Sequence, residues 1–441
     1  MTDGTTTTTT TKTITTTDAI EHNDQLEARA AQVDEQTLLR KLDLHLIPLI
    51  MMLYLFSFLD RVNIGNARLY GLEEDLRLTP TQFQTAVSVF FVPYLLLEVP
   101  SNLVLKRFTP RRWIAALAVA WGLVATLSGL AGSYGGLLAF GIGHMDGVAG
   151  LRGWRWILVL EGIPSVLLGV AAYAALPNDP GSARFLSAGE RALMELRHRR
   201  EYGNTASSRE FSFRDVNAAF RDWKVWAFCV AQFGVDTMLY GYSTFLPTII
   251  KGLGKWTPAQ VQLLTIPCYF LGAAAYMAIA TVSDRTQKRG LFCVIFGVVS
   301  VVGYAVLLSD ASSGVHYFAC FLVAAGLYIV VGLPLAWLPN NSPRYGKRTT
   351  ATGMQLTIGN ASGIMSSFIY PTPDAPRFIR GHAVTLSMVA MGTLIYGLLW
   401  AWYRRENERR AAGAVKEKYQ NMSDDELREL GDESPHYIYM I

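Results

Sequence analysis

The amino-acid sequence predicts an all-α polytopic membrane protein. Of its 441 residues, 51% are hydrophobic and only 17% are charged, and long apolar runs recur along the whole chain. A helix needs about 20 apolar residues to cross the hydrocarbon core of a bilayer. The runs reach that length and are too continuously apolar for barrel strands, so helices are the spanning structure expected.

Ten spans are predicted, after a terminal region of different character. Residues 1–40 begin with a threonine-dominated stretch that should be disordered, followed by a charged cytosolic helix from Asp24 to Arg40. The predicted spans are approximately 43–67, 84–105, 113–133, 154–176, 225–250, 261–282, 290–309, 316–338, 351–370 and 382–403.

Lysine and arginine indicate the orientation of these spans. If the amino terminus is inside, the inside loops carry 19 Lys and Arg residues and the outside loops carry 8. This bias predicts that both termini are cytoplasmic. The chain then divides into a first transmembrane half (41–176), a cytosolic connector (177–224), a second transmembrane half (225–403) and a cytosolic tail (404–441).

An acid and a base end the first apolar run, at Asp60 and Arg61. Charges at such a position are costly in lipid unless they face protein, water or each other, so the pair is predicted to line a substrate or ion pathway. Asn63 and Asn66 extend the same polar face. The alternative is a surface cap, in which Arg61 reaches the headgroups and pairs with Asp60.

Polar residues in later spans are further candidates. Gln232 and Tyr240 lie four residues to either side of Asp236, so the three share one helix face, which is predicted to line a cavity together with Asn360. Glu98, near the end of the second span, is a candidate pathway acid. The alternative for Glu98 is a gate or cap that bonds to the following turn.

The two halves have similar cytosolic turns. Lys106, Arg107 and Arg111 follow the second span, and Asp284 and Arg285 follow the second span of the later half. Such equivalence indicates an internal repeat, as found in secondary transporters. The alternative is that any cytosolic turn collects basic residues.

Several classes of function are disfavoured. No ATP-binding G-x-x-x-x-G-K-[ST] loop occurs, and no catalytic or metal-ligating cluster emerges, so neither an enzyme nor a cofactor is expected. The net charge is only +4, and the basic residues lie in short loops rather than in one patch, which argues against nucleic acid as a partner. The four cysteines lie within apolar runs and are expected to pack there as small residues.

The sequence is similar to the major facilitator superfamily, and within it to the anion:cation symporter branch that includes the fungal allantoate permease-like group. The resemblance runs from about residue 38 to 410. It rests on Lys41-Leu42-Asp43, Leu59 to Ala67, Pro93-Tyr94, Glu98 to Asn102, Met145 to Val148, Gly153 to Trp156, Glu161-Gly162, Phe245-Leu246-Pro247, Asn340-Asn341, Arg348, Asn360, Gly363 and Gly381-His382.

The resemblance implies a carrier built from two pseudo-symmetric helical halves. Such carriers take small organic anions, such as vitamins, allantoate or sugar acids, usually with protons. Arg61 matches the first-helix arginine that holds a substrate carboxylate, and Asp60 resembles a proton-coupling acid. A monomer in the plasma membrane is expected, with the lipid bilayer as its other partner.

The chain departs from the family in one region. The family usually has twelve spans, and the sequence predicts that the fourth and most of the fifth are missing between Tyr134 and Gly153. Three explanations are open: a gene model that skipped an exon, a spliced isoform, or a divergent protein. The alternative to a carrier is therefore a transport-inactive homologue that acts as a sensor or interaction protein.

Overall fold

A computed structural model describes residues 26–31, 33–69, 77–89, 91–93, 95–97, 101, 109–131, 153–202, 212–413, 419 and 422–441. Within these ranges the protein is all-α and has no strand, as the sequence predicts. The threonine-rich stretch and the region where two spans are predicted to be missing lie outside the described residues.

Thirteen helices are assigned within the described residues. They are α1 (Glu35–Leu69), α2 (Pro80–Val89), α3 (Pro110–Ala131), α4 (Gly153–Ala175), α5 (Ala188–Tyr202), α6 (Phe213–Arg221), α7 (Trp223–Gly252), α8 (Pro258–Thr286), α9 (Arg289–Leu308), α10 (Ser313–Asn340), α11 (Tyr345–Ser366), α12 (Ile379–Ala411) and α13 (Asp424–Glu429).

The chain forms two compact units. The smaller unit comprises residues 1–51 and 174–204, and the larger comprises residues 52–173 and 205–441. In the smaller unit, the first part of α1 packs against α5 and the turns before it around a small apolar core of Leu38, Ala183 and Leu186.

A capping box begins α5 in the smaller unit. The hydroxyl of Ser187 accepts a hydrogen bond from the Glu190 backbone N–H, while the Glu190 carboxylate accepts one from the Ser187 N–H at 2.6 Å. Lys41 also pairs with Glu190 at 2.9 Å. The bond from Ser187, and next the bond from Lys41, lower the pKa of Glu190 below its ordinary value.

The second half of the chain packs as a helix bundle within the larger unit. Helix α7 packs against α11 and α12, α9 packs against α10 and α12, and α8 packs against α10. The bundle core is fully buried and rich in aromatic residues, with the Phe228 ring edge-on to Trp337 at 5.0 Å between centroids.

The outer face of this bundle is suited to lipid. Helices α8, α9, α10 and α12 are long and apolar enough to cross a bilayer. Large apolar side chains on them point outward, including Phe270 (75% exposed), Met277 and Phe318. All four cysteines are buried and unpaired inside the bundle, so the prediction that they are packing residues is confirmed.

Among the helix ends that differ from the predicted ones, two have a local cause in the structure. The predicted cytosolic helix is interrupted, because Asp34 accepts a bond from the Thr37 N–H at 2.9 Å and starts α1 at Glu35. The last span was expected to end at residue 403, but α12 continues to Ala411. The ion pairs Arg404–Glu408 and Arg410–Glu406, each four residues apart, support its added turns.

Candidate functional site

A buried polar cluster lies in the interior of the second-half bundle. Gln232, Asp236 and Tyr240 occupy one face of α7 at four-residue spacing, and all three are buried. Asp236 lies near the middle of α7, roughly 20 Å along the axis from its start at Trp223. The predicted polar face therefore points into protein rather than into lipid.

Gln232 connects four helices. Its amide nitrogen donates to Asp236 Oδ1 at 2.8 Å and to the Val331 carbonyl of α10 at 3.4 Å. Its side-chain oxygen accepts from Gln355 Nε2 of α11 at 3.1 Å and from the Tyr396 hydroxyl of α12 at 3.0 Å. A buried polar group without a hydrogen-bond partner is costly, so this network fixes the positions of the four helices relative to one another.

Glycine allows α11 to approach this cluster. A side chain at Gly359 would collide with the Asp236 carboxyl and with Gln232. One residue further on, the Tyr240 hydroxyl donates to Asn360 Oδ1. All four predicted cavity residues of the second half, Gln232, Asp236, Tyr240 and Asn360, thus lie at the interface of α7 and α11.

A first-half residue closes one end of this interface. The Phe91 ring is buried and packs edge-on against Tyr240, with 4.8 Å between ring centroids. Gly363 of α11 leaves space for the Phe91 ring, since any side chain there would overlap it. Phe91 lies within the predicted second span, which therefore contributes an aromatic wall to the cluster.

The other predicted site residues are only partly described. Asp60, Arg61 and Asn63 lie on α1, whose backbone is helical there, but their side chains lie outside the described part of the chain. Glu98 and the basic residues Lys106 and Arg107 lie outside the described residues altogether. Their roles stay predictions from the sequence.

Arg111 and Asp284 of the predicted cytosolic motif bond to residues outside that motif. Arg111 donates to the Tyr173 carbonyl, with its guanidinium 4.7 Å from the centroid of the Tyr173 ring. Asp284 pairs with Arg289 at 2.8 Å, and not with the neighbouring Arg285, which is exposed. The tight turn after α8, with Gln287 in the left-handed region, carries the chain back so that Arg289 reaches Asp284.

A second buried polar cluster was not predicted from the sequence. At the start of α7 and α11, Lys224 and Lys347 both bind Asp432 of the tail, with shortest distances of 3.0 and 2.8 Å. Asp222 pairs with the same two lysines at 3.2 and 2.7 Å. These two carboxylates and two ammonium groups, called here the tail clamp, balance in charge, as a buried ionic cluster must.

Further hydrogen bonds hold residues 432–441 of the tail against the bundle, beside the tail clamp. Arg410 of α12 donates to the backbone carbonyls of Asp432, Ser434 and Tyr437. The Trp337 indole of α10 donates to the Met440 carbonyl at 2.8 Å. Burial by itself would raise the pKa of Asp432, but Lys347 and Lys224 outweigh burial and hold it below its ordinary value.

Only some residues of these two clusters could be identified from the sequence. Gln355 was a visible polar residue in an apolar span, and the structure places it on Gln232. Tyr396 resembles the many other aromatic residues of the spans, so nothing local distinguishes it. Among the residues that the structure describes, no three His, Cys, Asp or Glu side chains come together as metal ligands.

Membrane-crossing helices packed around a buried polar cluster are the architecture of a transporter, and comparison with known proteins gives the same class. A profile of the Major Facilitator Superfamily matches residues 135–367. The chain belongs to this superfamily. It is a multi-pass membrane transporter and not an enzyme.

Several fungal transporters are similar to the chain over most of its length. An uncharacterized transporter of Schizosaccharomyces pombe is 35% identical, covering 92% of this chain and 91% of its own length. The high-affinity nicotinic acid transporter of Saccharomyces cerevisiae is 30% identical over 92% of this chain and 85% of its own length. The major facilitator-type transporter hxnP of Emericella nidulans is 28% identical, covering 92% and 93%.

The alignments also indicate that this chain is shorter than its relatives internally. The alignment with the Schizosaccharomyces protein spans 457 positions, more than the 441 residues present here. Since 92% of the chain is about 406 residues, about fifty aligned positions face gaps in this chain. The family profile begins to match at residue 135, beside the predicted site of the missing spans.

Proposed function

We propose that this transporter carries a small organic anion, a carboxylate such as a vitamin, together with protons and by alternating access. It would act as a monomer in the plasma membrane with both termini in the cytoplasm. The buried cluster of Gln232, Asp236, Gln355 and Tyr396 is the observation that carries the proposal. A polar cluster deep in a membrane bundle is costly, and providing a substrate site explains why it is there.

The cluster supplies hydrogen-bonding groups, while Arg61 supplies charge. Amides and hydroxyls from Gln232, Tyr240 and Asn360 are suited to the polar atoms of a small cargo. A guanidinium at Arg61, with Asn63 about one turn after Asp60, would bind a carboxylate through two parallel hydrogen bonds. The similarity to a nicotinic acid transporter supports a carboxylate as cargo.

Proton coupling is assigned to Asp60 and Glu98. Arg61 stabilises the charged form of Asp60 until a substrate carboxylate competes for the guanidinium. Asp60 then becomes easier to protonate, so substrate and proton bind together. Lys106, Arg107, Arg111, Asp284 and Arg285 are proposed to control the cytosolic opening.

Uptake of labelled nicotinate by cells that express the chain tests the cargo class. We expect Arg61→Gln to reduce uptake by at least tenfold, because a neutral amide cannot replace the ion pair. Arg377→Gln is the matched control, because Arg377 is an exposed loop residue that pairs with Asp310. Unchanged uptake in the Arg61→Gln cells would contradict the proposed role of Arg61.

A transport-inactive homologue, acting as a sensor or interaction protein, is the second candidate. The observation in its favour is the gap of about fifty positions against a relative of known class. Sequencing the native transcript across the codons for Tyr134 and Gly135 separates the two cases. Additional in-frame codons would support the twelve-span carrier, and a direct junction would favour the second candidate.

A further inference from the structure

Within the described part of the chain, Asp236 is an acid without a counter-charge in the middle of the bundle. Its side chain is buried, and the residue is only 5% exposed. The hydrogen bond at Oδ1 comes from the neutral amide of Gln232, and Oδ2 lies against Gly359 of α11. An ionised carboxylate in such surroundings is strongly disfavoured unless a cation pairs with it.

The described groups around Asp236 are neutral. Gln232 of α7 donates to its carboxylate, and Gly359 of α11 lies against it. Gln232 in turn bonds to Gln355 of α11, to Tyr396 of α12 and to the Val331 carbonyl of α10, which are all uncharged. Among the described side chains, none of the lysines, arginines or histidines forms an ion pair with Asp236.

The nearest lysines on the two contacting helices are distant and already engaged. Lys224 precedes Asp236 by twelve positions on α7, and Lys347 precedes Gly359 by twelve positions on α11, roughly 18 Å along each axis. Both lysines are held by Asp222 and Asp432 in the tail clamp. They do not neutralise Asp236.

We propose that Asp236 carries a transported proton, and that its protonation admits the anion to the second-half cluster. This inference rests on the proposed function. A negative cargo and an ionised Asp236 would repel each other in the same small space, whereas the protonated acid is neutral and gains an O–H donor. One proton would bind to the carboxylate before the cargo enters and leave after the cargo departs.

The proposal has a direct test that needs no cargo. Infrared titration of the full chain in lipid nanodiscs detects the carbonyl stretch of a protonated, buried carboxylic acid. We expect a band that grows as the pH falls in the wild type and is absent in Asp236→Asn. Asp310→Asn, which removes an exposed acid from a loop, should retain the band. A wild type without this band would overturn the proposal.

Nicotinate binding to the same preparations then tests the coupling. Nicotinate stays anionic between about pH 6 and 8, since carboxylic acids normally ionise near pH 4. Wild-type affinity should increase as the pH falls, approaching about tenfold per pH unit where Asp236 is mostly ionised. Asp236→Asn should bind as tightly as the wild type at low pH, with a weaker dependence on pH that leaves only the part proposed for Asp60 and Glu98.

The outcomes separate this inference from the proposed function. If wild type and Asp236→Asn show the same pH dependence of binding, Asp236 does not carry the proton, although the cargo class stands. If the infrared band titrates but neither nicotinate nor other carboxylates bind, the anion cargo is wrong and its coupling to Asp236 is overturned. Size-exclusion profiles that match the wild type show that the variants are folded.

Discussion

At the residue scale, the candidate site depends on the absence of a side chain at Gly359. The Asp236 carboxyl and the Gln232 amide occupy the space that a Cβ at this position would take. Close approach of α11 to α7 therefore requires glycine there, for packing and not for backbone conformation. The same reasoning applies to Gly363, where the Phe91 ring fills the space.

We expect Gly359→Val to abolish transport. Valine would separate α11 from α7 and break the bonds that Gln232 makes to Asp236 and Gln355, and overpacking of this kind costs about 1–3 kcal/mol of folding free energy. Gly353→Val is the control on the same helix, because a Cβ at Gly353 meets no atom within 4 Å. Nicotinate uptake and thermal unfolding in detergent measure the two effects.

Equal uptake by the two glycine variants would show that the interface between α7 and α11 is not part of the transport path. Loss of thermal stability alone, with uptake retained in Gly359→Val, would assign Gly359 to packing only. The expected result is a combined loss in Gly359→Val and little change in Gly353→Val.

At the element scale, the tail clamp and the backbone contacts of residues 432–441 join the ends of four helices. Asp432 binds Lys224 of α7 and Lys347 of α11, while backbone groups of the tail bind Arg410 of α12 and Trp337 of α10. These contacts make the ends of the helices one structural unit. Rearrangement on the side of the tail would then move this end of the bundle as a whole.

Asp432→Asn should destabilise the second half by about 3 kcal/mol, because it leaves two buried ammonium groups to share Asp222 alone. Glu426→Gln is the control, since it removes an equal charge from an exposed position in the same tail. Thermal unfolding and backbone hydrogen exchange at residues 345–352 provide the measurements. Equal unfolding temperatures in both variants would contradict a stabilising role for the tail clamp.

The tail clamp should also respond to acid with a defined sign. The pKa of Asp432 is lower in the folded protein than its ordinary value near 4, so its ionised form stabilises the fold. That contribution is fully present above the unfolded pKa and is lost as the pH falls through the folded pKa. Docking of the tail should therefore persist through the physiological range and weaken only in strong acid.

The helices themselves were largely predictable from the sequence, whereas the tail clamp was not. Apolar length and basic loops located the spans later described as α7 to α12, with ends shifted where caps or ion pairs extend a helix. Residues 404–441 looked like a solvated charged tail, because burial of Asp432 depends on lysines that are distant in sequence. The four-residue spacing of Gln232, Asp236 and Tyr240 did predict a shared face, but no pattern identified Tyr396 as their partner.

At the scale of the whole molecule, the second half forms a helix bundle, whereas the chain lacks internal residues that its relatives have. The second half contains the complete set α7 to α12 and the buried cluster. About fifty positions of the aligned Schizosaccharomyces transporter face gaps in this chain, and the predicted place for them is between Tyr134 and Gly153. The central prediction is therefore that the chain transports despite this internal deficit.

Counterflow by the purified 441-residue chain in proteoliposomes tests that prediction most directly. Vesicles preloaded with unlabelled nicotinate should accumulate labelled nicotinate from outside, and an inward proton gradient should drive net uptake that a protonophore abolishes. Protein-free vesicles and Gly359→Val provide the baselines. Exchange above both baselines is the predicted result, and a folded, correctly inserted chain with no exchange of nicotinate or other small carboxylates would contradict the proposed transport function.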